Sequence, residues 1–215
     1  GNPAASEVVT GGTSGATCIL SSGTADFVGV IWQGQCQNQE FSGTGTQLTI
    51  TGSTPSSTAY KELTTEAGAS FADHGNKLTN ELRYNDSNGA GIRGTSASTI
   101  TVLLSESFSR ITKLQVASTG TNGQPVFPNG GAHLISQSIL EGLNTSTADN
   151  GGVVGSNVAY TMQNVLVVQR ATAADHIIGT ATVAAVMFYN CTFLAPDDLG
   201  TAPTSIFKTV AGGSG

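Results

Sequence analysis

Charge is what this 215-residue chain has least of: Asp, Glu, Lys and Arg make up 10% of it, against about a quarter of an average soluble domain. Long helices with solvated outer faces depend on such residues and are disfavoured here. The eight Lys and Arg are scattered singly from Lys61 to Lys208, and the net charge is −6. The clustered basic face that phosphate neutralisation requires is missing, so nucleic acid is not an expected partner. No apolar run approaches the roughly 20 residues of a bilayer span, and no charged start leads into an apolar core as in a signal peptide, so no membrane partner is expected. The opening GNPAAS lacks Met, which fits removal of an initiator or of a longer leader. Cysteine is scarce and odd in number: Cys18, Cys36 and Cys191 have no C-x-x-C spacing, and a Cys18–Cys36 disulfide is left open. His74, His133 and His176 lack ligand-like spacing and read as turn or surface residues. Neither a metal nor a cofactor is expected.

What is abundant is Gly, at 28 residues, with Ser, Thr and Asn filling much of the remainder. Polar surface is thus supplied by hydroxyls and amides, which suits a β-rich, tightly turned protein on an extracellular or virion surface. MQNVLVVQRA from Met162 and FYNCTFLAPD from Phe188 are one pattern written twice: an apolar run, an Asn, another apolar run. Two weaker copies precede them, with Gln137 in HLISQSILEG and Lys113 in SRITKLQVAS at the Asn position. The four positions are spaced 24, 27 and 26 residues apart, a period typical of stacked repeats.

Residues one and three after each position are Leu114 and Val116, Ser138 and Leu140, Val165 and Val167, and Cys191 and Phe193. That period of two belongs to a strand with one buried face. Asn164, Asn190 and Gln137 therefore read as one-residue bends between strands, a place where Asn tolerates the left-handed conformation. Leu114, Val116, Leu140, Val165, Val167, Cys191 and Phe193 read as inward columns of stacked parallel coils. The fold class that follows is all-β, a parallel β-solenoid; a β-sandwich with evenly spaced strands is the alternative.

Residues 1–17 are Gly-, Ser- and Thr-rich and read as a flexible N-terminal arm. Residues 18–86 read as N-terminal strands and a capping segment. Within them QLTITG is a clear strand around Leu48 and Ile50, and residues 58–84, with Phe71, Leu78 and Leu82 at roughly helical spacings, read as short helices or an irregular cap over an open end. Residues 87–215 read as the rungs, with a strand from Ile100 to Leu104. STGTNGQPVFPNGG and NTSTADNGGVVGSN read as projecting loops.

MQNVLVVQRA, FYNCTFLAPD and RYNDSNGAGIRG resemble rungs and a Gly-rich turn of right-handed parallel β-helix proteins of the pectate-lyase-like type. LTNELRYNDSNGAGIRG followed by such a coil is also similar to bacteriophage and prophage structural proteins. The resemblance covers residues 78–210. It implies a right-handed β-helix and, by analogy of fold, a homotrimer on a virion.

An enzyme on this fold needs a site. A polysaccharide hydrolase needs two flanking carboxylates, for which Asp175, Asp197, Asp198 and Glu141 are the candidates. Asp197 and Asp198 follow a Pro at a loop start, where Asp commonly initiates turns. Asp175 and His176 are adjacent, and adjacent strand residues point to opposite faces. A lyase needs an Arg or Lys base near acids, but Arg110, Lys113 and Arg170 are far in sequence from any acidic cluster. Aromatics fall mostly within rungs, and at most one of Phe188 and Tyr189 can face inward.

The expected function is therefore non-enzymatic: a phage capsid decoration or cement protein on the particle surface, with the major capsid protein or other virion proteins as partners. Surface glycans are a further possible ligand class for its loops. A tail or fibre component, a polysaccharide lyase or depolymerase, and a secreted adhesin are the alternatives.

Overall fold

The computed structural model describes residues 8–10, 17–19, 31–73, 83–97, 99–142, 154–156, 158–170, 176–180, 185–195 and 205–209. The chain forms two compact units, residues 1–30 and 31–215. In the first, β1 (Val8–Thr10) pairs antiparallel with β2 (Thr17–Ile19), with Val9 opposite Cys18. The arm expected to be without structure of its own thus contains a strand, because its short apolar stretch has a matching one nearby in sequence to pair with.

The second unit is an all-β parallel solenoid. Its first coil is β3 (Trp32–Cys36), β4 (Glu40–Gly43) and β5 (Leu48–Ile50), and its second is β6 (Lys61–Thr65), β7 (Gly91–Gly94) and β8 (Ile100–Leu104). Then follow β9 (Arg110–Thr112), β10 (Gln115–Ser118) and β11 (Gln124–Pro128), and β12 (His133–Ser136), β13 (Ile139–Gly142) and β14 (Val154–Ser156). The last two coils are β15 (Tyr160–Gln163), β16 (Leu166–Gln169) and β17 (His176–Thr180), and β18 (Val186–Tyr189), β19 (Thr192–Leu194) and β20 (Ser205–Thr209). Each coil gives one strand to each of three six-stranded sheets, and every strand pairs in parallel with its equivalents one coil away.

Three corrections to the sequence reading follow. The coil begins at Trp32, not near residue 87, and Lys61–Thr65, expected in a helical or irregular cap, is a strand of it. Its burial comes from pairing with β3 and β9, which local helical spacing does not reveal. Among the described residues of the expected cap, 58–73 and 83–84, the helical structure is a single 3-10 turn, Phe71–Asp73. Each coil has three strands, not two: Gln124–Pro128 and Val154–Ser156 form the third face where projecting loops were expected. Two prolines and flanking glycines hide the first of these strands, and the second is too short for its alternation to be legible.

The inward columns hold the core together. Ile92, Val116, Leu140, Val167 and Phe193 stack in register along the second sheet. Leu63, Ile111, Ile135, Met162 and Phe188 do so along the first, and Val102, Val126, Val154, Ile178 and Phe207 along the third. Fully burying such a side chain contributes about 1.5–3 kcal/mol, and the middle members of all three columns are almost wholly buried. Each column ends in phenylalanine. Phe188, Phe193 and Phe207 meet with ring centroids 5.1 to 5.5 Å apart, forming an aromatic plug in the last coil.

The bends explain how a strand turns without leaving the ladder. Lys113, Gln137, Asn164 and Asn190 all have positive φ, between 49° and 61°, and all four side chains are exposed. The Asn190 side chain, like those of the other three bends, faces solvent because the left-handed residue turns its Cβ outward.

Candidate functional site

Of the expected inward positions, Leu114, Val116, Leu140, Val165 and Val167 are buried in the core. Cys191 and Phe193 are only half-buried against it, because no further coil covers them among the described residues. Phe188 packs inward and Tyr189 is exposed. Cys36 is a free, buried thiol, pushed up to about 11 by burial. Asp175, Asp197, Asp198 and His74 lie outside the described residues. His133 is not a surface residue: it is buried, and its Nε2 accepts from the N–H groups of Gly130 and Gly131 at 3.0 Å each. Burial pushes its imidazole down to about 4. Among the described residues no three His, Cys, Asp or Glu side chains gather to hold a metal.

The concentration of polar chemistry lies on the outer face of the second sheet. There three successive coils place Arg93, Ala117 and Glu141 in one register. The segment from Arg83 to Asn88 crosses this face. Tyr84 donates its N–H to Glu141 at 2.9 Å and its hydroxyl to Glu40 at 2.8 Å. Gly91 makes the crossing possible, since a Cβ there would come within 2.5 Å of the Tyr84 hydroxyl. The buried Gln115 amide accepts from Asn85 N–H at 2.9 Å and donates to the carbonyl of Asn88 at 2.8 Å, fixing the segment's other end.

Between segment and sheet lies a half-open cleft of about 230 Å³, lined by Arg83, Tyr84, Arg93, Glu141 and Arg170, with Ala117 among its lining residues. Arg93 pairs with Glu40 at 2.7 Å, and Arg170 approaches Glu141 at 3.8 Å. Burial raises the Glu141 carboxyl above its ordinary value, against the lowering effects of the Tyr84 N–H, Arg170 and Arg83. Burial and the Glu40 hydrogen bond hold the Tyr84 phenol far above its ordinary value, so it stays protonated.

Arg170, judged remote from acids by sequence, is one coil away from Glu141 in the fold. Three of the eight cations meet here although no two are adjacent in the chain. Glu40, Tyr84 and Arg93 were not singled out for a site; the only sequence signal was the glycine of GIRG, which leaves room for a crossing side chain.

The two ends of the coil are the other distinctive surface. Among the described residues, the large apolar side chains that remain exposed are Ile31, Trp32 and Phe41 at the first coil and Met187, Tyr189, Ile206 and Phe207 at the last. No known family model matches this chain, and it shows no significant similarity to a curated protein or to a solved structure.

Proposed function

We propose that the protein is a non-enzymatic structural component of a bacteriophage particle, a decoration or cement protein that docks on the particle surface through one end of its coil. The observation that carries this reading is the apolar last coil, where Met187, Tyr189, Ile206 and Phe207 are exposed around the phenylalanine plug. Exposed apolar patches on a chain otherwise covered by hydroxyls and amides mark interaction surfaces. The low charge and the motif resemblance to phage structural proteins point to a virion as the setting, with a capsid protein as partner and a homotrimer as the assembly.

The test is copy number in purified particles, with Met187→Asp and Tyr189→Asp introduced singly. Hundreds of copies, lost in either variant, are expected; a few copies would move the protein to the tail or a fibre. Absence from particles, or new unsaturated or reducing ends in acidic polysaccharides incubated with the protein, would overturn the reading.

A further inference from the structure

The cleft on the outer face of the second sheet has a chemistry that the docking role does not use. Parallel strands lie about 4.8 Å apart, so the α-carbons of Arg93 and Glu141, two coils apart, are separated by about 10 Å. Only the methyl group of Ala117 stands between them. A small residue at this position leaves room for a cavity between the two long side chains, and Ala117 itself is buried at its floor.

Three guanidinium groups, of Arg83, Arg93 and Arg170, face this space from the crossing segment and from two different coils. Each carries five N–H donors. Arg93 gives one terminal nitrogen to Glu40, and its Nε–H is buried without a partner. Arg170 lies 3.8 Å from Glu141, too far for a hydrogen bond of good geometry. Among the described residues the carboxylates beside these three cations are Glu40, already engaged by Arg93 and by the Tyr84 hydroxyl, Glu141, and Asp86 on the crossing segment, which acts on the Tyr84 phenol. A cleft on which three guanidinium groups converge, one of them with a buried Nε–H that has no partner among the described residues, is built for an anion.

The geometry favours a tetrahedral one. A carboxylate presents two oxygens in a plane and is satisfied by one arginine fork, whereas phosphate and sulfate present oxygens in several directions and match donors arriving from separate elements. We propose that the cleft beside Ala117 binds a tetrahedral oxyanion, phosphate or sulfate, either free or pendant on a larger molecule. Arg93 Nε–H and the guanidinium groups of Arg83 and Arg170 hold the oxygens. Tyr84, fixed by Glu40 and Glu141, forms the wall.

Isothermal titration of the full chain with inorganic phosphate and with sulfate tests this, with a glycerol-phosphate polymer as a separate arm. Saturable one-site binding at millimolar concentration or tighter is expected. Ala117→Leu fills the gap without removing a charge, and Arg170→Gln removes a rim donor; each is expected to weaken binding by roughly tenfold or more, Arg170→Gln with an unchanged melting temperature. Arg170→Gln decides the question should Ala117→Leu disturb the sheet. Binding of the free anions assigns the site to them, and binding of the polymer alone assigns it to a pendant phosphate. No binding in any arm, or binding that Arg170→Gln leaves unchanged, overturns the proposal. The result is independent of whether the protein sits on a virion.

Discussion

The backbone N–H of Asn164 donates to the carbonyl of Tyr189, one coil further on, at 2.9 Å. Two residues later the N–H of Leu166 donates in the opposite direction, to Ser138 of the preceding coil, at 3.0 Å. Gln137 and Lys113 repeat the first half of this relationship, donating to Gln163 and Ser136. The left-handed residue therefore turns the chain from one sheet to the next while its own N–H, and that of the residue two further on, keep partners in neighbouring coils. Unpaired backbone donors at each corner would otherwise accumulate with every turn.

Because the bend requires positive φ at exposed positions, its cost depends on the residue and not on its contacts. A β-branched side chain pays most in this conformation, and Asn and Gly least. Asn164→Val is expected to destabilise the protein by about 1–2 kcal/mol, Asn164→Gly to change little, and Gln137→Asn to stabilise slightly. Urea unfolding of the three variants checks the order. Equal stability of the valine and glycine variants would show that the corner is not under this constraint.

Glu106 ties two coils together. Its carboxylate accepts from the N–H of Ser53 at 2.9 Å and from the Ser53 hydroxyl at 2.8 Å, and it lies 3.1 Å from the Lys61 ammonium. Burial opposes its ionisation, but these donors win, and the carboxyl sits below its ordinary value. A depressed carboxyl contributes stability above its unfolded value and loses it as pH falls through the folded one. Glu106→Gln is expected to cost about 1–3 kcal/mol near neutral pH, with the gap to the native protein closing in acid. Thermal melts from neutral pH down to the carboxyl range measure this.

The imidazole of His133 works with the opposite sign of charge but the same direction of pH. Protonation would remove the lone pair that holds Gly130 and Gly131, inside a buried site. Its value of about 4 in the fold, against 6.5 when free, means that the unfolded chain binds the proton first. Stability is therefore undiminished above pH 6.5 and falls as pH drops from there towards 4, by a few kcal/mol at most. His133→Asn should be less stable at neutral pH and should lack this part of the acid sensitivity. An unaltered difference between the two proteins across that range would remove His133 as its source.

The sequence by itself determined the coil. Left-handed bends at Asn164 and Asn190, with alternating apolar residues such as Val165 and Val167 after them, are local features written into a short stretch, and parallel stacking follows from their period. It also determined which side chains fill the second sheet's interior, because a strand's two faces alternate residue by residue. Only the tertiary structure decided the third strand of each coil, the inclusion of residues 32–65, and the cleft. Gln124–Pro128 is a strand because β8 offers it a partner edge, not because prolines prefer one. Arg93, Ala117 and Glu141 share a face only because coils of unequal length close to the same register, and Arg170 reaches Glu141 across a strand pairing. Distances of that kind depend on how loops of different length are absorbed at the corners, and no spacing along the chain records them.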